Sequence, residues 1–280
     1  MKKCLIVSNT DKKKSLSLAT EIQLFLKDCN IRVSVVEFCG INKPLCLDKI
    51  DFIITLGGDG TVLYAARKCS KYDIPVFPVN LGEFGFIAGI QPDCWEKRLR
   101  NFLEGKEILT RRALLNGSIS RADQTLISYE AMNDIVISSR DVARIVSLNV
   151  KAGAICFGQF KADGIIVCTP TGSTAYSAAA GGPIVDPRLD ALILNPLSAF
   201  SLSNRPLVLP PEEILSIIVL PSRSTEVVVS WDGQEHYNVE AGDIITIKKS
   251  SQSIRLAGCG IDTFYTALRS KLHWSGGPHA

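Results

Sequence analysis

The chain has 280 residues, 46% hydrophobic and 21% charged, with 31 Lys and Arg against 28 Asp and Glu for a formal charge of +3. That length suits one large domain or two modest ones, and the composition excludes a disordered chain, a collagen-like fibre and a coiled coil. So small and dispersed a surplus points away from a nucleic-acid partner. A strand is predicted at 5–7, followed by Lys12-Lys13-Lys14, which reads as a solvated turn, and a helix with Leu18, Ile22, Phe25 and Leu26 on one face. Strands at 32–36, 52–56 and 76–79 alternate with helices beginning near Thr61 and Asp93, the punctuation of a parallel sheet covered by helices. From about Arg111 the pattern becomes short β-branched segments at 125–130, 135–138, 145–150, 155–160, 214–220, 226–231 and 244–248, separated by Gly, Asp or Asn turns. An all-β second domain follows. A helix is predicted over 262–272, with Asp262 as its cap and Phe264, Leu268 and Leu272 at i, i+4 and i+8. The expected organisation is therefore an α/β domain over 1–110 joined by 260–274, an all-β domain over 111–259 and a disordered tail over 275–280.

Nine cysteines, at 4, 29, 39, 46, 69, 94, 156, 168 and 259, form no CxxC. An odd, scattered set in apolar surroundings, with no secretory signal, fits free thiols in a reducing cytoplasm. His236, His273 and His279 have no metal-ligand spacing, so no protein-held metal is expected. Residues 164–185 carry no charge and are numerous enough to span a bilayer, yet Pro170, Pro183 and four glycines would break a membrane helix. A buried strand running into a polar loop is the reading adopted, and no membrane partner is expected.

Three segments carry chemistry. Gly57-Gly58-Asp59-Gly60-Thr61 sits between an apolar strand and a helix, where glycines permit φ > 0 and let backbone N–H groups approach an anion at the helix N-terminus. Asp59 reads as a helix cap, as a general base toward an attacking hydroxyl, or as a carboxylate helping to hold Mg²⁺. Neither GxxxxGK[ST] nor GxGxxG occurs after a strand, so phosphate would be held without either device. Asn133-Asp134 precedes a strand and can bond ribose hydroxyls or a base edge, although Asn-Asp is also an ordinary turn. The longest signal is 163–183, where a buried strand enters the hydroxyl-rich Thr169-Pro170-Thr171-Gly172-Ser173-Thr174 and then a small-residue helix. Packing explains Ala178 to Ala180 but leaves the four hydroxyls between 169 and 174 as candidate ligand contacts.

Together these residues resemble the NAD kinases, across nearly the whole chain. Gly57 to Thr61 looks like the family's GGDGT, Asn80-Leu81-Gly82 with Gly85-Phe86 like its NxGxxGF loop, and Asn133-Asp134 like its NE or ND pair. Residues 163–183 resemble DGxIxxTPTGSTAYxxxAGGPI, and Asp232-Gly233-Gln234 resembles DGQ. The resemblance implies an N-terminal α/β domain, a C-terminal β-sandwich domain and a C-terminal helix returning to the first. It implies a phosphotransferase acting on an alcohol group, moving the γ-phosphoryl of ATP, with Mg²⁺, to the 2′-hydroxyl of the adenosine ribose of NAD. Asp59 would then accept the proton, Phe86 would line the adenine side, and the NAD contacts would be Gly60, Asn133, Asp134, Arg144, Lys161, Asp163, Thr174, Ala175, Tyr176, Ser177, Ala178, Ala179 and Gln234. It further implies a homodimer or homotetramer in which Asp163 and its neighbours approach nucleotide on the adjacent subunit. Phe200 stands before Ser201-Leu202-Ser203 where relatives often carry His. GGDGT alone is shared with lipid kinases, the rival enzymatic reading, and a non-catalytic NAD(P) sensor is the rival from another class.

Overall fold

A computed structural model describes residues 1–40, 44–82, 85–141, 144–199, 204–221 and 226–272. Phe200 and the expected tail over 275–280 lie outside the described residues. The chain divides into two compact units, Met1–Arg112 together with the chain from Gln252, and Ala113–Ser251.

The first unit opens with β1 (Lys3–Asn9), α1 (Ser15–Asp28), β2 (Arg32–Phe38), β3 (Phe52–Gly57), α2 (Asp59–Cys69), β4 (Val76–Asn80) and α3 (Trp95–Leu103). The strands are parallel in the order β2-β1-β3-β4. Every residue of β3 and of β4 is buried, as helices on both faces require, and this explains runs of apolar residues without alternation. Helix α1 buries Leu18, Ala19, Ile22 and Leu26, and the Phe25 ring meets Trp95 of α3 edge-on at 5.5 Å. From β1 the chain turns to one side for β2, then crosses to the other side for β3. The carboxyl ends of β1 and β3 are therefore where loops diverge and a crevice opens, flanked by residues 10–14 and by the glycine turn after β3.

The chain continues with β5 (Leu109–Arg121), β6 (Gln124–Ala131), β7 (Asp134–Ser139), β8 (Val146–Ala152), β9 (Ile155–Ala162), β10 (Gly164–Cys168), the one-turn α4 (Tyr176–Ala179), β11 (Leu192–Leu197), β12 (Leu207–Leu209), β13 (Ile214–Val219), β14 (Val227–Trp231), β15 (Glu235–Val239), β16 (Ile244–Ala257) and α5 (Ile261–Leu272). In the second unit, an antiparallel sheet ordered β12-β11-β10-β7-β14-β15 faces strands β5, β6, β8, β9, β13 and the start of β16. Alternating burial along β8 and β14 marks the faces that meet, and their core holds Ile137, Leu148, Ile217, Trp231 and Ile247. A smaller apolar cluster of Val136, Ile166, Cys168, Val185, Ile193 and Leu197 lies on the opposite face of the first of these sheets. That is why β10 is buried at every position.

Residues 244–248 of β16 pair with β13, whereas Leu256 pairs with Val76 of β4. Helix α5 buries Phe264, Ala267 and Leu268 in the first unit, with the Phe264 ring 6.1 Å from Phe86. Leu272, predicted on that apolar stripe, is exposed, and Asp262 lies inside the first turn of α5, which already begins at Ile261. The uncharged run 164–185 is a strand, a loop and a small-residue helix, as predicted, the helix being a single turn because Gly181-Gly182-Pro183 cannot prolong it. Among the described residues no helix is long and apolar enough to cross a membrane. Strands β5, β11, β12 and β15 escape the sequence reading.

Candidate active site

In the first unit the site is built on the turn from β3 to α2. The backbone departs from expectation, for Gly58 has φ −103° and ψ −168°, and Gly57, Gly58 and Gly60 all avoid positive φ. Space is what requires Gly57: a Cβ there would lie 2.2 Å from Thr61 Oγ1. Nothing stands within 4 Å of a Cβ at Gly58, so this side of the turn is open.

Asp59 is the first residue of α2, where a carboxylate can face the helix's own N–H groups. Its carboxylate reaches instead to the segment after β4, where Phe86 N–H donates to Oδ2 at 3.0 Å and Ile87 and Ala88 N–H donate to Oδ1 at 3.2 and 2.9 Å. Gly85 makes this approach feasible, since a Cβ there would sit 2.1 Å from Oδ1. The GGDGT turn and the NxGxxGF loop are thus two halves of one device, a carboxylate and its amide cradle. The cradle is itself braced: Leu81 N–H donates to Gly57 O, Gly82 N–H to Asn80 Oδ1, and the buried Cys259 thiol to Ile87 O at 2.7 Å. Burial pushes that thiol up to about 12, so it stays a protonated donor. Gly60 follows Asp59 on the first turn of α2, and the half-buried Phe86 ring lies between Phe264 and the Lys271 ammonium, 5.8 Å from its centre.

In the second unit a cavity of about 450 Å³ opens on β7, β14 and β15. Val136 and Val228 give it an apolar floor, and Asn133, Asp134, Ala175 and Tyr176 stand among its walls. The Asn133-Asp134 pair is held by Asp232, whose carboxylate accepts the N–H groups of Met132, Asn133 and Asp134 at 2.9, 2.7 and 3.2 Å. Asp232 occupies a tight turn with φ +51°, and the following Gly233 has φ +62°. Asn133 is 9% exposed, and its Oδ1 is buried without a hydrogen-bond partner, a costly arrangement that a ligand donor would relieve. Burial, and after it the neighbouring Asp232 charge, push the Asp134 carboxyl up to about 7.

Three of the four hydroxyls of 169–174 donate to backbone carbonyls of the fold. Thr169 Oγ1 donates to Met132 O at 2.6 Å, Ser173 Oγ to Pro170 O at 2.7 Å, and Thr174 Oγ1 to Thr171 O at 3.2 Å. Gly172 packs so tightly on Asn133 that a Cβ would lie 2.0 Å from its carbonyl oxygen. The segment is therefore a clamp that fixes Asn133 and delivers Ala175 and Tyr176 to the cavity. The Ser177 side chain is completely buried beneath it, near the Asn195 amide. Ala178 and Ala179 follow on α4 outside the cavity wall, and Gln234 is anchored through its N–H to Trp231 O. Arg144, Lys161 and Asp163 are exposed, before β8, on β9 and after β9 respectively, and none lines the cavity.

Asp232 and His236 are wall residues that the sequence reading passed over, Asp232 although its DGQ motif was recognised. Ser138, Val228 and Ser230 join them only through strand register, Ser138 opposite Val228 and Ser230 opposite His236.

Residues 41–108 match the profile of the ATP-NAD kinase N-terminal domain, and residues 132–258 that of the ATP-NAD kinase C-terminal domain. The chain belongs to the NAD kinase family. Among NAD kinases it is 49% identical over 277 residues to that of Treponema denticola, covering 99% of this chain and 98% of the relative. It is 44% identical over 275 residues to that of Treponema pallidum, covering 98% and 90%. A crystal structure of an NAD kinase from Archaeoglobus fulgidus in complex with ATP superposes with a TM-score of 0.79 at 27% identity, over 98% of this chain and 99% of that one. Yeast NADH kinase complexed with NADH shares the fold, with a TM-score of 0.86 at 21% identity over 99% and 89% of the two chains. The NAD kinase profiles span both the Asp59 cradle and the Asn133-Asp134 cavity.

Proposed function

We propose that this NAD kinase transfers the γ-phosphoryl group of ATP to the 2′-hydroxyl of the adenosine ribose of NAD, giving NADP and ADP, with Asp59 as proton acceptor. The observation that carries the reading is the amide cradle. A ribose hydroxyl is a weak nucleophile, and in-line transfer needs a fixed acceptor for its proton. Among the described residues Oδ1 of Asp59 accepts two backbone N–H groups and Oδ2 accepts one. A carboxylate oxygen has two lone-pair positions, so Oδ2 keeps one for the hydroxyl while its orientation is set by the backbone.

Asn133 Oδ1 accepts from a ligand N–H or O–H, and Asp134 accepts from ribose hydroxyls, beside the ring of Tyr176 and the apolar floor. Gly60, Phe86, Thr174 and Ala175 contact NAD through backbone and apolar atoms, and Ser177, Ala178, Ala179 and Gln234 hold these in place. Arg144, Lys161 and Asp163, all exposed, contact NAD, and in a homodimer or homotetramer Asp163 and its neighbours approach nucleotide on the adjacent subunit. Mg²⁺ enters with ATP, as the MgATP substrate. The free thiols support a cytoplasmic location.

The test is NADP formation from NAD, ATP and Mg²⁺ by wild type and Asp59→Asn. Turnover of the variant is expected to fall by about 10²–10⁴, the usual worth of a general base. Asn offers one oxygen where Asp offers two, so at least one cradle N–H loses its acceptor at a cost of about 1–3 kcal/mol. Assays therefore run well below the variant's melting temperature. Near-normal turnover by folded Asp59→Asn would refute the acceptor role.

A further inference from the structure

We infer that Lys12 grips the phosphates of the donor nucleotide and supplies the positive charge that a P-loop lysine supplies elsewhere. The inference rests on the kinase reading above and names the group that meets ATP. The sequence offers no GxxxxGK[ST], and Asp59, tied to its cradle, adds a negative charge to the turn where a polyphosphate is expected.

Three observations place Lys12 there. First, it lies in the loop after β1, at the crevice opened where the order β2-β1-β3-β4 reverses direction, and ligands of parallel sheets bind at such points. Second, the loop is fixed to the glycine turn. Asn9 Nδ2 donates to Thr61 Oγ1 at 3.2 Å, Lys12 N–H donates to Asn9 O at 3.1 Å, and Lys12 O accepts from Ser15 N–H at 2.9 Å. Third, the side chain reaches across the sheet. A Cβ built on Gly82 would lie 3.4 Å from Lys12 Nζ and 3.9 Å from its Cε. Gly82 follows β4, and β3 lies between β1 and β4. Adjacent strands are about 4.8 Å apart, so a side chain starting beyond β1 and ending beyond β4 spans the carboxyl end of β3, the strand from which the glycine turn departs.

Among the described residues the Lys12 ammonium enters no ion pair. Lys12 is half-buried, whereas Lys13 and Lys14 are exposed. The solvated-turn reading therefore fits the second and third lysines and not the first. Lys12 also lies outside the residues matched by either family profile.

Calorimetric binding of MgATP to wild type, Lys12→Ala, Lys12→Arg and Lys13→Ala tests this, together with KM for ATP and for NAD. Loss of one charge-assisted contact corresponds to a 10- to 100-fold weaker Kd and higher KM for ATP, roughly what such bonds contribute. Lys12→Ala should show this with KM for NAD within about threefold, Lys12→Arg should recover most of it, and Lys13→Ala should match wild type. A structural role would lower the melting temperature and move both KM values together. An unchanged ATP Kd in folded Lys12→Ala, or equal losses for ATP and NAD, overturns the inference. MgATP binding by wild type without NADP formation would overturn the kinase reading while the Lys12 comparison still decides the inference, and wild type that binds no MgATP would overturn both.

Discussion

Replacing Asp134 with Asn should change how stability depends on pH. The Asp134 carboxyl is 5% exposed and sits beside Asp232, which together push it from 3.8 up to about 7. In the unfolded chain it returns to about 3.9, so between roughly pH 4 and 7 the native state holds a proton that the unfolded state has released. Stability from this source is fully present below about pH 4, falls as pH rises to 7, and is level above. The whole shift is worth about 4 kcal/mol, of which roughly 2–3 kcal/mol is lost between pH 5 and 8. Asn cannot ionise and keeps a similar volume, so its stability lacks this slope. Urea denaturation at pH 5, 6, 7 and 8 should show the variant gaining on wild type by that amount across the series. Other titrating groups, such as Asp243, held low by its hydrogen bonds to Arg121, act equally in both proteins and cancel. A stability difference constant to about 0.5 kcal/mol over the range would show that Asp134 is already ionised at pH 5. The same titration governs binding if ribose hydroxyls donate to the carboxylate, because they stabilise its charged form. NAD affinity of wild type should then rise up to about tenfold per pH unit from 5.5 to 7 and level off above, with a flat profile for Asp134→Asn.

Two glycines in the first unit should respond in opposite ways. Gly85→Ala places a methyl against Asp59 Oδ1, 2.1 Å away as the backbone stands, so the carboxylate must swing and turnover should fall about 10²-fold, read as kcat with NAD saturating. Gly58→Ala meets nothing within 4 Å, so its melting temperature should match wild type, while KM for ATP rises where phosphates approach the turn. Equal kcat for Gly85→Ala and wild type would show that the cradle does not set the Asp59 geometry. Thr169→Val removes the hydroxyl that donates to Met132 O and accepts from Gly172 N–H, leaving two buried groups unpaired. A stability loss of about 1–3 kcal/mol in urea is expected, with KM for NAD rising because Asn133 is no longer clamped. An unchanged KM would reduce Thr169 to a purely structural role.

Much of the fold is legible in the sequence because local rules decide it. Apolar strand, glycine turn and helix over 52–69 form as spaced, and alternating β-branched segments after Arg111 form a sandwich, since each pattern buries one surface only in that element. The motifs also take definite places in each unit: GGDGT meets the amide cradle in the first, and in the second the Asn-Asp pair lines the cavity with Ala175 and Tyr176 of the 163–183 segment. What each residue does there was decided by distant partners. Asp59 looks like a helix cap until Phe86, Ile87 and Ala88 arrive from the end of β4 with their N–H groups. The hydroxyls of Thr169, Ser173 and Thr174 have no assigned partners in the sequence, and in the fold they donate to the carbonyl oxygens of Met132, Pro170 and Thr171. Asp232 is only the first residue of a DGQ motif until its carboxylate gathers three amides about 100 residues away. Lys12 looks like one lysine of three until strand order puts Gly82 beside its ammonium. Periodicity and turn chemistry are properties of neighbours in sequence, so the chain alone reveals them. Hydrogen-bond partners and charge environments are set by strand order and register, which bring together groups that sequence spacing leaves unrelated.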